Sequence, residues 1–278
     1  MAKQWVRRTM AAMLGAMRQG NPPVLWGAEP MNGGNYLYLW VTAWKRRQET
    51  GRPWTVRYKP KMAPWLSMFP SLRGLTVSGA SIGVLQQRTV EWGQRAYVDW
   101  EYRDLTEFSR SFLLPSGPFR ELIEKSNRSS VVINVRRGDY YTNPEHRKNF
   151  GFEIEAYVRA AVARIPEPDV TGFVIVSDDV DWCLDHLGFL HDLAPVATVP
   201  GPHDMFKDLA QIAAGRHLVL ANSTFSYWGG YLSSALPAEV RARSVQAPLH
   251  FNRQYLGGHS PLLLPQWRAM PDDEFLRE

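Results

Sequence analysis

A chain of 278 residues with 45% hydrophobic content can form one large domain or two of ordinary size, and a core of that size needs no covalent staples. Its one cysteine, Cys183, excludes an internal disulfide, and no paired Cys/His spacing marks a zinc module. The net charge of +5 suits an anionic ligand, a membrane surface or nucleic acid; because the basic residues form no run of five or more and no RNA-binding aromatic motif accompanies them, nucleic acid is set aside as a partner.

Residues 1–20 place Lys3, Arg7, Arg8 and Arg18 beside Val6, Met10, Met13, Leu14 and Met17, an apolar set at helical spacing. The segment reads as a basic amphipathic helix, too short and polar to span a bilayer and too interrupted for a signal peptide. It either touches a membrane surface peripherally or packs on the domain, and packing is favoured. The expected location is the cytoplasm, with peripheral contact at the inner membrane surface as the alternative.

Val24-Leu25-Trp26 predicts a first strand, and Met31-Asn32-Gly33-Gly34-Asn35 opens a helix carrying Tyr36, Leu37, Leu39, Trp40 and Val41, stopped by Gly51 and Pro53. A glycine-rich turn between strand and helix either brings backbone amides to a ligand or simply turns tightly. Residues 58–70 read as an irregular loop, and Leu75-Thr76-Val77 and Tyr97-Val98-Asp99-Trp100 as modest strands. Residues 108–126 read as helical pieces broken by Pro115 and Pro118. A polar bridge at 126–130 follows, which sets three segments: 1–20, a first half at 21–127 and a second half at 128–278.

The second half opens on the most informative stretch. Val131-Val132-Ile133-Asn134-Val135 is an apolar, β-branched run, the pattern of a buried strand, and it ends in Arg136-Arg137-Gly138-Asp139. Adjacent side chains leave an extended chain on opposite faces, so one arginine faces ligand and the other structure. Two later runs repeat the pattern: Phe173-Val174-Ile175-Val176 ends in Ser177-Asp178-Asp179, and Leu218-Val219-Leu220-Ala221 ends in Asn222-Ser223-Thr224-Phe225-Ser226. Helical stripes separate them, among them Ile154, Val158, Ala161, Val162 and Ile165, a short helix at 181–187, a helix capped by Asp204 with Met205, Leu209, Ile212 and Ala213 inward, and a helix at 225–236 capped by Ser223 or Thr224. Alternating strands and helices predict an α/β protein with a parallel sheet, and parallel strands put all three polar clusters on one edge.

With these clusters placed, the chain resembles the bacterial fucosyltransferases of glycosyltransferase family 11, typically α-1,2-fucosyltransferases. The resemblance rests on Asn134-Val135-Arg136-Arg137-Gly138-Asp139-Tyr140, on Ser177-Asp178-Asp179 followed by Trp182, and on the stretch from His217 through Asn222-Ser223-Thr224-Phe225-Ser226 to Trp228. It runs from the first strand to Pro248. It implies a GT-B fold of two Rossmann-like halves with parallel sheets facing a cleft, GDP-fucose on the second half and a glycan or glycoside acceptor, at galactose O2, on the first. It further implies Arg136 and Asp139 as the catalytic pair. The implied donor-binding residues are Asn134, Arg137, Asp178, Asp179, Asn222, Ser223, Thr224, Phe225 and Ser226, and Asn32, Gly34 and Asn35 fall on the acceptor side. Inverting transfer without metal or cofactor is the implied chemistry. The family commonly has histidine where this chain has Asn134, and asparagine can position but cannot shuttle a proton. The base is therefore open among Asp139, His203 and Glu29. Two other readings stand beside this one: a related transferase using another nucleotide sugar, and a nucleotide-sugar-binding protein without turnover.

Overall fold

The computed structural model describes residues 10, 13, 17, 18, 21–29, 31, 33–91, 100–254 and 256–276. Most of the predicted helix at 1–20, and Tyr97 to Asp99 of a predicted strand, lie outside the described residues. The chain divides into two compact units, Met1–Leu105 and Thr106–Glu278. The boundary therefore falls ahead of the polar bridge at 126–130. The helix Gly117–Lys125 is the reason: it packs on the helix Met205–Ala214, and Gln211 of that helix clasps the backbone N–H and carbonyl of Asn127 at 3.0 Å each.

In the first unit a parallel sheet runs β3-β2-β1-β4, with β1 at Val24–Gly27, β2 at Thr55–Arg57, β3 at Thr76–Val77 and β4 at Arg88–Glu91. The helix Asn35–Thr50 buries every residue from Tyr36 to Trp44, as the continuous apolar run requires, and Gly51 ends it in the left-handed conformation that only glycine adopts freely. Residues 58–70 are more ordered than a loop. Pro64 sits in the first turn of the helix Ala63–Met68, where a missing N–H costs nothing, and Trp65 is buried beneath it. Pro118 likewise starts the helix Gly117–Lys125, which Ser116 caps.

The second unit holds a six-stranded parallel sheet in the order β10-β9-β8-β5-β6-β7. These strands are β5 at Val131–Val135, β6 at Phe173–Ser177, β7 at Val196–Thr198, β8 at His217–Val219, β9 at Ser244–Pro248 and β10 at Arg268–Met270. Numbered within the unit, the order is 3-2-1-4-5-6 read from β7, the dinucleotide-fold order, and the strand sequence reverses between β5 and β8. Every residue of β5 is buried, which explains its apolar run, and Val131 to Ile133 align with His217 to Val219 on one side and Phe173 to Ile175 on the other. The three polar clusters do share one edge of the sheet.

Candidate functional site

The carboxyl ends of β5, β6 and β8 meet at the reversal point, the position where open α/β sheets form a ligand crevice. Leaving β5, the two arginines part as alternation requires. The Arg136 guanidinium lies between two carboxylates, 2.7 Å from Asp178 and 2.5 Å from Asp139, and faces a cavity of about 150 Å³. Arg137 turns the other way: its Nε donates to Asp179 at 2.8 Å and its guanidinium lies 4.0 Å over Trp182. The two aspartates diverge in the same manner. Asp178 accepts from the Arg137 backbone N–H at 2.8 Å and borders the cavity, whereas Asp179 caps the helix Val180–His186. Gly138 is needed because a Cβ there would fall 2.5 Å from the Asp178 carboxylate.

Asn134 sits one turn of the pleat before the arginines. Its amide donates to the Val176 carbonyl at 2.9 Å, and its oxygen accepts from the Ser226 hydroxyl. It thereby ties β5 to β6 and to the start of the helix Thr224–Ala235. That helix presents the amides of Thr224, Phe225 and Ser226, which have no acceptor within the helix, and Ser223 at the cap position makes no side-chain cap bond. Ser223, Phe225 and Ser226 border the same cavity as Arg136. The helix cannot shift easily: a Cβ on Gly229 would meet Ile212 at 2.3 Å, and one on Gly230 would meet Trp267 at 2.6 Å. A guanidinium and a helix start lining one cavity are groups that can together hold an anion such as phosphate.

Not every residue expected at the site borders the cavity. Asn222 is fully buried and donates to the carbonyls of Phe150 and Phe251 at 2.8 and 3.2 Å, so it brackets two loops. Thr224 is buried at the first position of its helix and does not border the cavity. Asp139 bridges Arg136 and His146, whose Nδ1 lies 3.5 Å from its second oxygen. Gly34 and Asn35 begin the helix after β1, at the corresponding corner of the first unit, and Asn32 lies outside the described residues. Glu29 pairs with Lys59 at 3.3 Å.

One residue that sequence reasoning missed closes the cavity. Asp208 on the helix Met205–Ala214 is buried and borders it; His203, 3.3 Å away, is 73% exposed. Burial raises the Asp208 pKa, with His203 opposing the shift. The signal was present in the helical stripe, since Asp208 lies three residues after Met205 and four before Ile212, on the inward face. Nearby, burial pushes the Cys183 thiol up to about 11, so it stays protonated at neutral pH.

The architecture is of the GT-B type: two units, each with a parallel sheet. The structure of Escherichia coli ADP-heptose lps heptosyltransferase II matches at a TM-score of 0.50 over 91% of this chain and 94% of that one, with 12% identity, a likeness of fold. Residues 117–246, a little under half of the chain, match the model of glycosyl transferase family 11. Among curated proteins, an alpha-1,2-colitosyltransferase of Escherichia coli is 27% identical over 38% of this chain and 37% of its own length. The rat galactoside alpha-(1,2)-fucosyltransferase 1 is 29% identical over 38% of this chain and 28% of its own length. The matched stretch thus spans 37% and 28% of the length of these two relatives. Among the described residues no helix is long and apolar enough to cross a membrane.

Proposed function

We propose that the protein is an inverting glycosyltransferase that moves fucose from GDP-fucose to a hydroxyl of a glycan or glycoside, galactose O2 being the acceptor position the family resemblance favours. The observation that carries this reading is that Arg136 and the start of the helix Thr224–Ala235, through Ser223, Phe225 and Ser226, line one cavity at the reversal point. Breaking the bond between the sugar and the diphosphate builds negative charge on the leaving phosphate. A preorganised guanidinium and helix-start amides stabilise that charge. The acceptor oxygen bonds to the anomeric carbon from the face opposite the departing phosphate, and its proton leaves to a base or to water.

In this reading the nucleoside is read by Asp208 rather than by Asp178 and Asp179, because both of those carboxylates are engaged by arginines. Guanine offers two adjacent donors, N1–H and N2–H, that a buried carboxylate can accept together; adenine and uracil lack that pair. Diphosphate contacts do not read the sugar, and the match to a colitosyltransferase favours a second reading in which another nucleotide-linked deoxy sugar is the donor. A donor screen with mass-spectrometric detection of transfer separates the two. Absence of both transfer and donor hydrolysis with every nucleotide sugar overturns the enzymatic reading. Metal independence belongs to the same proposal: transfer survives excess EDTA, and complete loss restored by magnesium or manganese refutes it.

A further inference from the structure

The opposite, amino-terminal end of the six-stranded sheet carries a second basic site. The segments entering β5, β8 and β9, with the turn that follows the helix Thr224–Ala235, enclose a groove of about 440 Å³ lined by Arg128, Arg216, Arg241 and Arg243 beside Ser129 and Glu239. Asp169 compensates two of these cations. Its Oδ1 receives Arg216 at 2.9 Å and Arg243 at 2.8 Å, and the buried His217 ring lies 3.6 Å from its Oδ2.

That network accounts for Arg216 and Arg243, which brace the approach to β6 against the starts of β8 and β9. It accounts for neither of the others. Arg128 and Arg241 are exposed and have no acidic partner among the described residues. Four cations face two carboxylates, Asp169 and Glu239, so two positive charges in the groove stay uncompensated. The Nε of Arg216 is buried without an acceptor. A buried donor left unpaired is costly. Guanidinium forks fit phosphate oxygens two at a time.

We propose that this groove binds a phosphate-bearing anion, a site separate from the donor cavity. The two sites lie at opposite ends of β5, about 17 Å apart for a five-residue strand at about 3.3 Å per residue. The ligand chemistry is an anionic phosphate group, supplied either by the headgroups of an anionic membrane or by a soluble diphosphate.

The test uses Arg128→Glu with Arg241→Glu, the neutral pair Arg128→Gln with Arg241→Gln in case the first misfolds, and a control, Lys61→Glu with Arg73→Glu, that makes the same change in net charge on the first unit. Inorganic pyrophosphate binding is measured by calorimetry, and sedimentation with phosphatidylglycerol vesicles is compared with phosphatidylcholine. The groove variants lose about tenfold or more in affinity for at least one anionic probe, in a salt-sensitive manner, while the control keeps wild-type binding. Loss confined to vesicles identifies the membrane as the source; loss confined to one pyrophosphate component identifies a soluble anion. Equal loss in groove and control variants, or wild-type protein that binds neither probe, overturns the proposal.

Discussion

Asp208→Asn exposes a trade between folding and binding within one side chain. The carboxyl is buried, and its one ion partner among the described residues, His203, is 73% exposed and hence well screened. Its pKa is raised by burial, so the folded state favours the protonated form. For an acid with a raised folded pKa, stability is greatest below the unfolded value, about 4, and declines as pH climbs from there through the folded value. At pH 7 the charge is therefore a liability in the empty protein, and the neutral amide raises the melting temperature. Binding moves the other way. Two hydrogen bonds from guanine to a charged acceptor contribute about 1.5–3 kcal/mol each. Asparagine keeps one acceptor and turns its amide hydrogens on a ligand donor, a net loss of about 2–4 kcal/mol, or about 30- to 1,000-fold in the GDP dissociation constant. Thermal scans of the empty protein and calorimetry with GDP, UDP and ADP read the two effects separately. A variant that binds GDP within threefold of wild type and keeps its preference over UDP removes Asp208 from the nucleoside site. A lowered melting temperature shows instead that the carboxylate supports the fold.

Arg136→Lys keeps the charge but loses the planar fork, so turnover falls about 10²-fold or more with a smaller change in GDP affinity, whereas Arg137→Lys lowers the melting temperature by losing its Asp179 bond and its seat over Trp182; the reverse pattern in purified, folded variants refutes the assignment. Gly229→Ala gains about 1 kcal/mol of helix propensity but overpacks Ile212 at a cost of about 1–3 kcal/mol, and a net rise in denaturant midpoint contradicts the contact. Adding Ile212→Ala to that variant produces a non-additive double-mutant cycle. Asp169 is held below the ordinary carboxylate range, chiefly by its hydrogen bond from Arg216, so its contribution to stability is complete above pH about 4 and is lost as pH falls through the folded value. Asp169→Asn accordingly flattens the acid limb of the melting-temperature profile, and an unchanged limb counts against the network.

The parts of the site legible in the sequence are those that local chemistry dictates. A β-branched run predicts β5, pleat alternation predicts that Arg136 and Arg137 part, and a hydroxyl-rich turn before an apolar stripe predicts the helix that begins at Thr224. What escaped depends on contacts distant in the chain. β2 and β4 are three and four residues long, carry polar side chains and become strands by pairing, β4 with β1 and β2 with both β1 and β3. Asp178 and Asp179 resembled a ligand pair in sequence, yet each is engaged by an arginine about 40 residues earlier. Asp208 is masked in the sequence by a surrounding stripe with the pattern of core, and its inward carboxylate has meaning only once the cavity beside it is known.

Arg136 between Asp139 and Asp178 has a consequence for how the cavity meets the many small anions of a cell. A guanidinium already satisfied along two edges is a poor scavenger, since an incoming phosphate must evict a carboxylate before it gains anything. Association at this point is an exchange of one anion for another, with Asp139 free to lean toward His146 as the newcomer takes its place. Lone phosphate or sulfate offers one contact for the one it displaces. In the proposed reading a nucleoside diphosphate brings a second foothold at the helix start and a third at Asp208, and such a guest makes the exchange favourable. Discrimination against bystander anions thus resides in the resting state of the empty cavity, before any sugar has been examined.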